Sequence, residues 1–352
     1  MGMRIIQLGA GNVGMELVKL ARGRLDYLAV CDRSGAVCDT NGDGLSESRL
    51  DEIVKIKKEN GKISDLNGSK NREIVNELLM KEGKRVILVD VTASDDNVPL
   101  LLEAKRNGCF VVLANKKPLC GSHQTYKKLV ADGKTYYGAT VGAGVPVIRM
   151  IRYLKSSGDR IHEIGGCFSG TLGFICTELG SGKKFSESVR KARELGYTEP
   201  NPRDDLSGMD VARKALILGR ELGFEMELED IAVEPMLGPS PSEFLKLSAE
   251  EFMEKIEALD QYYAGMSKKA ETNGNVLRYV AEVKKGGFTV GLKAVPAKGL
   301  MGATLEGRDN IFSIKSAHYD KLMMSGAGAG PLNTASSVFA DITDIIERGE
   351  EG

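Results

Sequence analysis

Two adjacent lysines, Lys116 and Lys117, follow Asn115 at the end of the apolar run FVVL, with Pro118 next. Like charges side by side at the mouth of a buried element cost stability, so a chemical task for an ammonium is the better account. Another lysine, Lys214, lies four residues after Asp210, which puts carboxylate and ammonium on one helix face, and Ser207, three residues before Asp210, is expected to cap that helix with it as a capping box. Nearer the start, Gly9, Gly11 and Gly14 form GAGNVG, with Asn12 and Val13, between an apolar run and a helical pattern. That arrangement cradles a pyrophosphate: a tight turn, a close backbone approach, a packed helix, and free amides at the helix N-terminus. Asp32 ends the second apolar run, where a carboxylate suits a ribose 2′-hydroxyl, whereas Arg33 beside it and Lys55, Lys57 and Lys58 on the next helix suit a 2′-phosphate. The pattern favours NADP(H), with NAD(H) as the second cofactor.

Elements must hold these groups in place. RIIQLGA, LDYLAVCD, RVILVDVT and FVVLAN alternate with helical patterns, which implies βαβ units and a parallel sheet. From about Val145 the helical segments lengthen, and VLRYVAEVKKGGFTVGLKAVP reads as strands, which suggests a second, α+β domain. SGAGAGPLNTASSVFADITDIIERG reads as a glycine loop and a terminal helix that returns to the first domain. The expected fold class is α/β: a Rossmann-type dinucleotide-binding domain (1–145), an α+β domain (146–318) and a returning segment (319–352).

The 352 residues carry 48 Lys and Arg against 49 Asp and Glu, so no net field draws nucleic acid or an anionic membrane. No run of about 18 apolar residues occurs, and the N-terminus enters strand and glycine loop without a signal-like region. The six cysteines form no CxxC pair and read as reduced thiols. A cytoplasmic protein with a small-molecule partner is expected. DTNGDG (39–44) copies the first half of a calcium loop, but Leu50 stands where a bidentate glutamate is needed, so it reads as an acidic turn. His123, His162 and His318 lie outside the motifs.

The stretch ARELGYTEPNPRDDLSGMDVARKALILGR, 192–220, resembles the homoserine dehydrogenase signature. GAGNVG, CDRSG, VDVTAS, ANKKPL, ATVGAGVP, SGTLGFI and GAGAGPLNTASSVFADI stand in the order of that family, so the resemblance covers nearly the whole chain. It implies reversible NAD(P)H-dependent reduction of L-aspartate 4-semialdehyde to L-homoserine, in threonine, methionine and isoleucine biosynthesis. Such a reduction needs hydride at carbon and a proton at oxygen, and an ammonium can both stabilise the developing alkoxide and protonate it.

By that resemblance Lys117 and Lys214 are catalytic. Glu199 takes the substrate's amino group, Asp210 orients the reacting oxygen or Lys214, and Gly170, Thr171 and Tyr197 complete the pocket. Thr92, Ala93 and Gly328 border the cofactor with Lys117. Asp204 or Asp205 either supports the lysines or caps the turn, and Lys116 is expected to lower its neighbour's pKa. The second domain then binds substrate and builds a homodimer.

The resemblance also implies a sodium or potassium site, which many members of that family build from a glutamate and backbone carbonyls. Here the carbonyls are those of Val141, Ala143 and Val145, but Gly138 replaces the glutamate, so the site loses its charge. Asn333 stands where alanine is usual. A short form without ACT or aspartate kinase domains is expected. Two rivals stay open. An aspartate-semialdehyde dehydrogenase would need an activated thiolate, and no cysteine has a histidine in a suggestive motif. A dinucleotide-sensing regulator without turnover would be favoured by loss of Lys214 or Glu199, and both are present.

Overall fold

The computed structural model describes residues 2–39, 43–303 and 309–350, the side chains of 349 and 350 excepted. Residues 40–42, the centre of the calcium-like turn, lie outside the described residues. The chain divides into two compact units, 1–146 with 330–352, and 147–329. This is an α/β protein with two mixed sheets.

In the first unit, β1 (Arg4–Leu8), β2 (Asp26–Cys31), β3 (Ala36–Cys38), β4 (Val86–Asp90), β5 (Phe110–Leu113) and β6 (Thr135–Tyr136) form a sheet of order β3-β2-β1-β4-β5-β6. Its pairs are parallel except β2 with β3. Every residue of β1 and β4 is buried, which is why RIIQL and VILVD show no polar alternation. The connections diverge between β1 and β4, opening a crevice at their carboxyl ends. The helix Pro331–Glu350 sends Ala335, Val338, Ile342 and Ile345 into the same core as Leu17 and Val18 of the helix Asn12–Ala21. Spacings of three and four put those side chains on one face.

In the second unit, β7 (Ile161–Cys167), β8 (Ala232–Val233), β9 (Asn275–Lys284), β10 (Gly287–Pro296), β11 (Asp309–Ser316) and β12 (Leu322–Ala327) form a sheet of order β12-β11-β7-β9-β10-β8. All its pairs are antiparallel except β8 with β10. Helices Gly170–Gly180, Met209–Glu221 and Asp260–Thr272 pack on it. Ile164, Tyr279, Ala281 and Phe312 are buried, while on the opposite face Glu163, Glu282, Ser313 and Lys315 surround Val280 and Met301. The return to the first unit falls at 330 rather than 319, because Leu322–Ala327 pairs with β11 and stays in the second sheet. Among the described residues no helix is long and apolar enough to cross a membrane, and all six cysteines are free thiols.

Candidate active site

A cleft of about 1310 Å³ in the first unit is lined by residues of the β1, β2 and β4 ends. Each glycine of GAGNVG answers a different demand. Gly9 turns the chain at φ +109° and its N–H donates to Cys31 O at 2.8 Å. A Cβ on Gly14 would lie 2.2 Å from Gly9 O, so this glycine lets the helix pack against its own loop. Gln7 Nε2 binds both turns, donating to Gly9 O (2.9 Å) and Gly14 O (3.0 Å). Gly11 is different: its φ of −85° suits any residue, and no atom lies within 4 Å of a Cβ placed there. The room beside this helix N-terminus fits a pyrophosphate. Gly9, Gly11 and Asn12 line the cleft, whereas Val13 packs on the apolar core and Gly14 faces the loop, so neither of those two residues borders it.

Asp32 and Arg33 stand at the cleft, as do Lys57, Lys58, Lys62 and Arg72. Burial pushes the Asp32 carboxyl up, but donors from Ser34 and Lys57 outweigh it and hold the group below the usual carboxylate range. Ser34 Oγ and N lie at 2.5 and 2.7 Å and Lys57 Nζ at 2.9 Å. The carboxylate expected to meet a ribose hydroxyl is thus already paired with a lysine. Cationic side chains outnumber Glu16, Asp32 and Asp96 along this wall, which suits a polyanionic ligand.

At the end of β4, Asp90 is fully buried and ties two loops together. Its carboxylate accepts from Thr92 N (2.9 Å) and from Asn115 Nδ2 (3.0 Å). Thr92 Oγ1 in turn accepts from Asn97 Nδ2 (3.0 Å), and Asn115 Oδ1 accepts from Lys117 N (3.1 Å). The short helix Lys117–Cys120 therefore starts from a braced point. Thr92, Ala93 and Lys117 all line the cleft, with Lys117 Nζ 3.8 Å from Asp95 Oδ1 and its side chain 47% exposed. The sequence alone assigns Asp90 no role and marks Asn115 only as the residue before the lysine pair. The available signal was an acid closing the otherwise apolar run VILVD.

In the second unit, Lys214 is 7% exposed. Its Nζ lies 2.9 Å from Asp210 Oδ2 and donates to Phe168 O at 2.6 Å. Ser207 and Asp210 do not cap this helix as a box. Gly208, at φ +74°, is its first cap residue, and a Cβ there would lie 2.0 Å from Tyr279 Oη. Ser207 Oγ instead donates to Asp204 O (2.7 Å) and accepts from Met209 N (3.2 Å), which leaves Asp210 to the lysine. Thr171 Oγ1 donates to Tyr197 O at 2.6 Å, and Glu199 N donates to Asp205 Oδ2 at 2.8 Å. Burial pushes the Asp205 carboxyl up to about 6; the Glu199 N–H and Thr171 oppose this, and the charges of Glu199 and Asp210 reinforce it. Asp204 is exposed. Contacts thus connect Gly170–Thr171, Tyr197, Glu199 and Asp205, with Asp210 and Lys214 beside them. Gly328 lies against Asn310, whose Cγ would be 2.0 Å from an added Cβ.

The loop carrying Val141, Ala143 and Val145 runs along the terminal helix. Ala143 takes a left-handed φ of +51° after Gly142 at +85°. A Cβ on Gly138 would lie 3.1 Å from Asp341 Oδ2 and 3.3 Å from Ser337 Oγ, and one on Gly144 3.2 Å from Asn333 Cβ. Asp341, 2% exposed, accepts from Gly138 N at 2.9 Å. A carboxylate does face this loop, delivered from the other end of the chain. Carboxylate, hydroxyl and carbonyl oxygens fit a hard cation in kind.

The homoserine dehydrogenase family model matches residues 146–343. A glutamate/leucine/phenylalanine/valine dehydrogenase model matches residues 1–94, within the dinucleotide-binding unit. Homoserine dehydrogenase of Saccharomyces cerevisiae is 39% identical over 276 residues, 75% of this chain and 76% of the relative. A Candida auris protein of unknown function superposes with a TM-score of 0.88 at 29% identity, covering 99% of both chains. A hyperthermophilic archaeal homoserine dehydrogenase in complex with NADPH superposes with a TM-score of 0.75 at 24% identity, covering 98% of this chain and 97% of that one, a likeness of fold.

Proposed function

The chain belongs to the homoserine dehydrogenase family, and from that premise we propose how its residues carry the reaction. It is an NAD(P)-dependent oxidoreductase that interconverts L-aspartate 4-semialdehyde and L-homoserine. The bound nicotinamide cofactor supplies the hydride. The chain's own residues do the rest. Lys214, desolvated and oriented by Asp210 and Phe168 O, stabilises the developing alkoxide and gives it a proton, and Lys117 is the second catalytic ammonium. Glu199 takes the α-amino group, and the backbone of Gly170, Thr171 and Tyr197 receives the carboxylate side of the substrate. Gly9, Gly11, Asn12, Thr92 and Ala93 hold the cofactor's phosphates and nicotinamide end.

NADP(H) is the preferred cofactor and NAD(H) the lesser one. Asp32, neutralised by Lys57, no longer repels a 2′-phosphate, and Arg33 stands beside it. The archaeal relative solved with NADPH is consistent with this reading. A monovalent cation belongs at the carbonyls of Val141, Ala143 and Val145, with Asp341 supplying the charge that Gly138 lacks. A sodium- or potassium-specific rise in thermal midpoint that Asp341→Asn abolishes would support it, and no cation-specific rise would remove it. The protein works in the cytoplasm as a homodimer built on the second sheet's face around Val280.

The observation that carries the catalytic reading is the buried Lys214 ammonium held between two fixed oxygens. The test is the fall in reduced-cofactor absorbance when enzyme meets L-aspartate 4-semialdehyde, with NADPH and NADH in parallel. Aldehyde-dependent oxidation faster with NADPH is expected, and a faster rate with NADH would overturn the cofactor preference.

A further inference from the structure

Lys214 ends in a flexible stem, so its ammonium is only as well placed as the oxygens that hold it. Asp210 rides on the same helix and fixes the ammonium relative to that helix; Phe168 O follows β7 and fixes it relative to the sheet. That carbonyl has a second donor. Asn310 Nδ2, at the start of β11, approaches Phe168 O at 3.3 Å and occupies its remaining lone pair.

Asn310 is fully buried, and among the described residues no donor reaches its Oδ1. Carrying a half-satisfied amide in the interior costs stability that an apolar side chain would not, and a buried unsatisfied group of this kind calls for a reason. Its surroundings are cut to fit it. A Cβ on Gly328 would lie 2.0 to 2.3 Å from the Asn310 amide atoms, so glycine there leaves the amide its place. Ser325 Oγ donates to Asn310 O at 3.2 Å and steadies the backbone beneath.

We propose that Asn310 is a positioning residue for the reaction: by taking one lone pair of Phe168 O it leaves a single direction for the Lys214 ammonium. The inference rests on the assignment of Lys214 above. It also gives Gly328, expected from resemblance to border the cofactor, a task inside the second unit.

The test compares Asn310→Ala, Asn310→Asp, Gly328→Ala and Lys214→Ala in the whole enzyme, reading kcat, both KM values and the pH profile of aldehyde reduction. Asn310→Ala should lower kcat about ten- to a hundredfold with the cofactor KM unchanged. Gly328→Ala, which drives a methyl into the amide, should reproduce that loss. Asn310→Asp keeps the shape and adds a negative charge near the ammonium, so the alkaline limb of the profile should move to higher pH. Normal kcat in Asn310→Ala and Gly328→Ala overturns the proposal. So does a rate loss with the Asn310→Asp limb unmoved, because a merely structural role would leave the profile in place. If Lys214→Ala turns over normally, the reading of Lys214 has failed and the proposal with it; if it is inactive while Asn310→Ala is normal, only the role of Asn310 has failed.

Discussion

Lys117 and Lys214 carry the same charge in opposite surroundings, and their variants should fail differently. Lys117 is half exposed, with a carboxylate at 3.8 Å, so Lys117→Ala removes chemistry and little else. Lys214→Ala takes one of two donors from Phe168 O in a buried place, which costs about 1–3 kcal/mol, whereas Asp210, 45% exposed, stays in reach of water. Both should lose turnover by roughly 10²–10⁴-fold; urea unfolding should show lower stability for the second alone. Asp205 adds a pH dependence. Its folded pKa is about 6, mainly through burial, against 3.8 unfolded. Between those values the native state keeps a proton that the unfolded chain has released. The group's contribution is therefore fully present below pH 3.8 and is lost as the pH rises through about 6. The stability of the wild type relative to Asp205→Asn should fall across that window, and parallel stability curves would remove the assignment.

The glycine loop separates what the chain needs from what a ligand needs. Gly14→Ala forces a methyl to 2.2 Å from Gly9 O and should lower the thermal midpoint by several degrees. Gly11→Ala meets no atom within 4 Å, so the midpoint should hold while the cofactor KM rises at least tenfold. Equal thermal midpoints in the two variants would contradict this division. GAGNVG was legible in the sequence because its steric demands are local, and β1 and β4 were legible because burial on both faces leaves an unbroken apolar run. The capping box failed because local spacing does not reveal Tyr279, against which Gly208 packs. Asn310 stayed invisible for a similar reason: its meaning lies in Phe168, 142 residues earlier in the chain. Asp341 opposite Gly138 is the same case, a buried carboxylate brought to that backbone from a helix 203 residues on.

The first unit is discontinuous, and this sets how the molecule responds to losing its end. Ala335, Val338, Ile342 and Ile345 are at most 1% exposed and sit in the core that also holds Met15, Leu17 and Val18 of the helix after the glycine loop. The larger three each stabilise by about 1.5–3 kcal/mol when buried, so together they approach the roughly 5–15 kcal/mol that holds a whole domain folded. Removing 330–352 also takes Asp341 from Gly138 N. Truncation after Ala329 should therefore unfold the cofactor-binding unit while β12 keeps its pairing with β11, since Leu322–Ala327 belongs to the other sheet. Circular dichroism should show partial loss of structure, limited proteolysis should cut within 1–146 and spare 147–329, and NADPH should no longer bind. Wild-type affinity for NADPH in the truncated chain would mean that the terminal helix covers the core without holding it together.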